Sequence, residues 1–234
     1  MKRLVQPELL DTLPPDDPRA IHSRRDLRRV NWWMGNPGIM VRALLNCSQQ
    51  LPKQITELGA GDGDFLLQVV RKFRTRKTFS RFDTLPATAL LLDQQKNVSA
   101  KTRRAFAELG WHAETIVADV FDWSPADNAK HVVIANWFLH HFENERLAEL
   151  LGKISLNAKL FVAIEPRRLA WPAFVGKLLW FIGCNEVTRH DAVISIRAGF
   201  SGNELSALWP DKTNWQLTER RAGLFSHLFI ARRK

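Results

Sequence analysis

The run Gln54-Ile55-Thr56-Glu57-Leu58-Gly59-Ala60-Gly61-Asp62-Gly63-Asp64-Phe65-Leu66-Leu67 constrains this chain more than any other stretch. A short apolar segment ends in a carboxylate, alternate glycines follow, and a helical pattern begins, which reads as strand, tight loop and helix. Glycine permits positive φ and leaves no Cβ between loop and ligand, and the free N–H groups of a helix starting near Asp64 point into the same space. Such a loop is built to touch something.

Phosphate is the usual guest of glycine loops, but the dinucleotide fingerprint G-x-G-x-x-G puts its third glycine one residue later than Gly63. Charge also points away from phosphate. Glu57, Asp62 and Asp64 would repel a pyrophosphate and favour a ligand carrying an ammonium and a sulfonium. The segment resembles motif I of the class I S-adenosylmethionine-dependent methyltransferases, an acidic and an apolar residue followed by G-x-G-x-G. A plain left-handed turn with no ligand is the alternative on this motif alone, so the order of the remaining elements has to decide.

A chain of 234 residues suffices for one sizeable domain with a small cap. Cys47 and Cys184 stand far apart, without a C-x-x-C or a His/Cys cluster, so neither a disulfide framework nor a metal site is expected; both thiols read as buried and reduced. The first residues lack the apolar core of a signal peptide, and the apolar run 169–183 is broken by Pro172 and Lys177 and is short of a membrane span. These features predict a cytoplasmic protein. The net charge of +10 favours an anionic partner, either nucleic acid or an anionic membrane surface.

In chain order, residues 1–18 are rich in proline and acid and predict an irregular or loosely docked arm. A helix begins at Ala20, Gly35-Asn36-Pro37-Gly38 stops it, and Ile39 starts another, so two helices precede the first strand. After the loop, Phe65 to Phe73 has helical register, and a basic run of Arg71, Lys72, Arg74, Arg76, Lys77 and Arg81 leads to the strand Thr88 to Leu92, which ends in Asp93. In the resemblance, as in the dinucleotide fold, an acid at this strand tip accepts hydrogen bonds from both ribose hydroxyls. The connection from the loop is longer than the usual ~20 residues. The helix Ala100 to Leu109 and the strand Ala113 to Val117 lead to Ala118-Asp119-Val120-Phe121-Asp122, where the resemblance assigns the adenine amine to Asp119, with Asp122 as the alternative.

His131 to Asn136 is nearly all apolar and predicts a central strand. Trp137-Phe138-Leu139-His140-His141-Phe142 then looks like the fourth methyltransferase motif. The helix Glu143 to Ile154 and the strand Leu160 to Glu165 follow, then the apolar run 169–183, read as a substrate pocket or lid. Thr188-Arg189-His190-Asp191 resembles a segment of bacterial methyltransferases that modify quinones and polyketides. A helix capped at Ser201 with Glu204 in capping-box position and the alternating runs Trp215 to Arg221 and Leu224 to Arg232 complete the chain.

The resemblance covers about residues 54–234. It implies an α/β, Rossmann-like class I methyltransferase fold: a seven-stranded, mostly parallel sheet with an antiparallel last strand, a helical cap and arm over residues 1–50, and the methyltransferase domain over 51–234. It implies S-adenosyl-L-methionine as cofactor, held by Glu57, Gly59, Ala60, Gly61, Asp93, Gln94, Asp119, Val120 and Asn136. Acceptor contacts fall to Trp137, Trp171, Phe174 and Arg189. A general base is sought among His141, His190 oriented by Asp191, and His140, with no metal required. The expected acceptor is an apolar small molecule, phenolic, quinone-like or polyketide-like; the alternatives are an RNA methyltransferase and a non-catalytic S-adenosylmethionine-binding protein.

Overall fold

A computed structural model describes residues 2–14, 16–48, 52–75, 87–123, 131–170 and 172–234. Three helices come first: α1 (Leu9–Thr12), α2 (Pro18–Trp33) and α3 (Asn36–Cys47). Then follow β1 (Gln54–Leu58), α4 (Asp64–Arg74), β2 (Ala87–Asp93), α5 (Ala100–Ala107), β3 (Trp111–Val117) and β4 (His131–Asn136). The second half holds α6 (Asn144–Asn157), β5 (Ala158–Pro166), α7 (Pro172–Phe181), α8 (Glu186–Ala198), α9 (Glu204–Leu208), β6 (Trp215–Ala222) and β7 (Ser226–Arg233).

The strands form one seven-stranded sheet in the order β3-β2-β1-β4-β5-β7-β6. The pairs from β3 through to β5 are parallel, and β7 runs antiparallel to both β5 and β6. Because strand side chains alternate between faces, Val132 and Ile134 of β4 join the core beneath α3 and α4, whereas Val133 and Ala135 join the core beneath α6. Both faces are covered, which is why His131–Asn136 reads as almost continuously apolar. Strand order reverses between β1 and β4, so the carboxyl ends of those two strands flank the crevice where ligands of open α/β sheets bind.

Several local expectations need correction. The break between α2 and α3 is only Met34 and Gly35, the latter at φ 70°; Asn36, Pro37 and Gly38 already belong to α3, where a proline in the first turn loses no helical hydrogen bond. Ser201 does not cap α9, which starts at Glu204 after Asn203. Glu204 does accept from the Ser201 N–H at 3.0 Å, but the Ser201 hydroxyl takes Arg168 instead, and Glu219 binds the Leu205 and Ser206 N–H groups. Cys184 is buried and Cys47 half-buried, and both are free. Among the described residues no helix is long and apolar enough to cross a membrane. Arg76, Lys77 and Arg81 of the basic run, and Trp171, lie outside the described residues.

Candidate active site

The crevice opens into a cleft of about 990 Å³. The glycine loop forms part of its lining, and the glycines there do different work. A Cβ on Gly59 would come within 2.2 Å of the Phe138 ring, so this glycine lets the loop after β4 pack directly on the loop after β1. Gly61, at φ 55°, lines the cleft, and a Cβ there would meet no protein atom within 4 Å. Its N–H donates to Oδ2 of Asp93 at 2.8 Å, tying the loop to the tip of β2. Glu57 is buried at the cleft, and its Oε2 has no hydrogen-bond partner. Burial, reinforced by the like charges of Asp62, Asp64 and Asp93, pushes its carboxyl well above the usual carboxylate range.

Asp93 also accepts from the Gln95 N–H at 2.8 Å, and burial raises its carboxyl. Gln94, Ala60, Ala118 and Val120 line the cleft beside it. Asp119 does not: Gln94 Nε2 donates to it at 2.8 Å and the Phe121 N–H at 2.8 Å, so its carboxylate braces the loop after β3. Asp122 also lies outside the cleft lining.

The next part of the lining is built on the loop after β4. Asn136 donates to Asn31 of α2 at 3.1 Å, and Asn36 of α3 bonds Asn31 at 2.9 Å, so both cap helices are fixed to the strand tip. Trp137 follows at φ 52°, a conformation that bulky residues rarely adopt and that is held here by its N–H bond to Ile164 O at 2.8 Å. Its indole Nε1 is buried without a partner. Glu165, fully buried at the end of β5, organises what comes next. Its Oε1 accepts from the Phe138 and Leu139 N–H groups at 3.1 and 2.9 Å, and its Oε2 stands 2.8 Å from His140 Nδ1.

The second nitrogen of His140 reaches Glu8 Oε1 at 3.2 Å, and Glu8 also accepts the Ser195 hydroxyl. Burial alone would lower the His140 pKa, but the bonds to Glu165 and Glu8 outweigh it and push it up to about 9. Burial would likewise raise Glu8; its bond to His140 and the charge of that ring bring it down to about 2. His140 is therefore a buried cation between two carboxylates, unsuited to accept a proton at neutral pH. His141 differs. Its Nδ1 is 3.3 Å from Asp11 Oδ2, its ring packs against that of His140 at a tilt of 32° with centroids 4.3 Å apart, and it lines the cleft. Glu8, His140 and His141 also place ligand-capable atoms within 4.8 Å of one another, but both ring nitrogens of His140 are already engaged, so the cluster reads as ion pairs.

Glu8 and Asp11 belong to the segment expected to be irregular or loosely docked: outside the four-residue α1 the described part of it is irregular, but it is firmly docked. Asp191 accepts the Leu9 and Leu10 N–H groups at 2.8 and 3.0 Å, which caps α1. Arg3 donates to the carbonyls of Ala198 and Phe142 at 2.8 and 2.7 Å. The expected His190–Asp191 contact exists at 3.1 Å, yet His190 is exposed and lines a separate shallow pocket with Gln6 and Pro7 rather than the cleft. Arg189 bonds Asn185 O at 3.3 Å and is also outside the cleft lining, as is exposed Phe174. The apolar wall comes instead from Val175, Leu178, Leu179 and Ile182 of α7 and the turn after it. Asp26 holds the roof together: it is fully buried in α2 and accepts the Asn185 N–H at 2.8 Å and the Thr188 hydroxyl at 3.3 Å.

Glu8, Asp11 and Glu165 are the site residues that sequence reasoning missed. Glu165 had a signal, being an acid at a strand's carboxyl end, where site residues gather. Glu8 and Asp11 sit in Pro7-Glu8-Leu9-Leu10-Asp11, which has no local pattern pointing to the cleft.

No protein-family model matches the sequence, and a search of curated proteins finds no match. Solved structures do match. The plantazolicin methyltransferase BpumL in complex with SAH is 12% identical at TM-score 0.63, covering 94% of this chain and 92% of that one. An O-methyltransferase family protein from Burkholderia thailandensis is 18% identical at TM-score 0.59; the match covers 94% of this chain and only 61% of that longer one. Magnesium protoporphyrin IX methyltransferase from Synechocystis PCC 6803, with bound SAH, is 10% identical at TM-score 0.55, covering 96% and 91%. Strand order, the antiparallel β7 and these likenesses agree: the chain has the Rossmann-like fold of the class I methyltransferases.

Proposed function

We propose that the protein is an S-adenosylmethionine-dependent methyltransferase acting on an apolar small-molecule acceptor that bears a phenolic or similar hydroxyl. The observation that carries this reading is one continuous cleft whose lining brings together the glycine loop, the acids Glu57 and Asp93, His141 and the apolar side of α7. The cofactor fits what is present. Glu57 offers an unpartnered buried oxygen to a cationic ligand, and Gly61 leaves open space beside the loop. Asp93 keeps lone pairs for ribose hydroxyls after accepting the Gly61 and Gln95 N–H groups. Solved neighbours carry SAH at low identity, which supports the same ligand here.

When bound, S-adenosylmethionine supplies an electrophilic methyl group on a sulfonium, whose departure leaves a neutral thioether. The chain's own residues prepare the acceptor. A phenol has a pKa near 10, so transfer gains from removal of its proton. With Nδ1 of His141 toward Asp11, Nε2 is left to take that proton, and Asp11 stabilises the imidazolium that results. The cleft's apolar wall excludes water, and positioning the hydroxyl about 3 Å from the methyl carbon supplies much of the acceleration. In this reading residues 1–50 act as a cap that completes the site on 51–234, and the free thiols suit a reducing cytoplasm.

Incubation with cofactor labelled in its methyl group, against a panel of alkylated phenols and quinols and against generic RNA, tests the proposal. Label entering an organic-extractable product supports it. Label entering RNA, or no transfer from a protein that still binds SAH, overturns it.

A further inference from the structure

The rim of the cleft presents an aromatic and basic face. Trp32 and Trp33, at the end of α2, are 65% and 67% exposed, and Phe174, Trp180 and Phe181 of α7 are 63%, 59% and 77% exposed. Folding gains nothing from leaving so much aromatic surface in water, and a contiguous exposed apolar patch marks an interaction site. The two helix ends are neighbours: Arg29 of α2 donates to Gly183 O, just beyond α7, at 3.4 Å. Trp32, Trp33 and Leu178 are exposed and also line the cleft, so the patch is the lip of its opening.

The exposed charges that α2 and α7 themselves carry have one sign. α2 carries five arginines, and its single acid, Asp26, is fully buried. Exposed Arg25, Arg28 and Arg29 share the outer side of α2 with Ile21 and the two tryptophans. The sole charge on α7 is Lys177, exposed between Phe174 and Trp180. Arg28 and Arg29 are partly compensated by Asp62 and Asp26, whereas no ion pair joins Arg25 or Lys177 among the described residues. Tryptophan and phenylalanine interleaved with arginine and lysine form the surface that settles at a bilayer's headgroup level, rings in the acyl boundary and cations on anionic headgroups. The net charge of +10 adds long-range attraction of the same sign.

We propose that this lip, the exposed side of α2 together with α7, docks reversibly on an anionic lipid bilayer, with the mouth of the cleft facing the membrane. If the acceptor is as apolar as the reading above holds, it passes from the acyl region into the cleft without crossing water. The docking itself does not depend on that reading.

Vesicle co-flotation without cofactor or acceptor tests it. The wild-type protein should float with phosphatidylcholine vesicles containing phosphatidylglycerol, much less with phosphatidylcholine alone, and less as salt is raised. The Trp180→Ser/Phe181→Ser pair should lose most binding, and Arg25→Glu/Lys177→Glu should weaken it by about fivefold or more per residue, the worth of one basic residue near an anionic surface. Both pairs are exposed, so melting temperature and SAH affinity should stay at wild-type values. No flotation, or flotation unchanged in both variants, overturns the proposal. So does a dimer in solution that the aromatic pair dissociates, because the face would then belong to a second copy of the chain.

Discussion

Nε2 of His140 stands 3.2 Å from Oε1 of Glu8, a residue 132 positions earlier in the chain. That pairing turns the N-terminal segment into a wall of the cleft, because the residues just after Glu8 carry Leu10 and Asp11 to the same opening. Glu8→Gln should therefore loosen residues 3–12 while leaving the sheet intact. A hydrogen bond to a charged group is worth about 1.5 to 3 kcal/mol, so hydrogen exchange in this segment should speed up by roughly one to two orders of magnitude. Unchanged protection would mean that Arg3 and Asp191 hold the arm without Glu8.

The same pair sets a pH window. His140 is raised to about 9, so its contribution is complete below about 6.5, its ordinary pKa, and is lost as pH climbs through about 9. Glu8 is lowered to about 2, so its contribution is complete above its ordinary value of 4.5 and is lost as pH falls through about 2. Arm protection should be greatest between these limits and should fall on the alkaline side. Protease susceptibility of the arm against pH measures this, and a flat profile between pH 6 and 10 would contradict it.

His141→Ala should reduce kcat by about a hundredfold or more, the lower range for general base catalysis, with SAH affinity retained. Asp11→Asn should give a smaller loss and move the pH profile of kcat, since the carboxylate acts through the ring. Equal losses of kcat and SAH affinity in both variants would show that the pair only holds the site together.

Dialysis against a chelator should leave melting temperature and SAH affinity unchanged, because both nitrogens of His140 are spent on Glu165 and Glu8. A fall in either would mean that Glu8, His140 and His141 hold a cation.

What the sequence made legible follows from the range of the forces involved. The β1 loop, β4 and the closing pair β6–β7 could be read because glycine conformation and side-chain alternation act within a few residues. The role of Asp191 could not, because its partners are backbone N–H groups of Leu9 and Leu10 some 180 positions away. His140 and His141 look alike in the sequence and differ in the fold, since only contact with Glu165 and Glu8 fixes a charge on the first ring. Hydrophobicity alone predicts Phe174 to line the pocket; the turn of α7 instead brings Val175, Leu178 and Leu179 to the cleft and leaves Phe174 outside it in the exposed lip.

Asp93→Ala should weaken cofactor binding by about 1.5 to 3 kcal/mol through lost hydrogen bonds, and it frees the Gly61 N–H as well. A dissociation constant unchanged from wild type would mean that another acid holds the ribose.

Isothermal titration of SAH into the wild-type protein and into Gly61→Val tests the central claim most directly. A side chain at Gly61 would enter the open space beside the loop at a positive φ that valine resists. The account predicts one saturable site in the wild type and no detectable binding in the variant, with both proteins folded by circular dichroism. Absence of binding to the wild type, or equal affinity in the two, would contradict it.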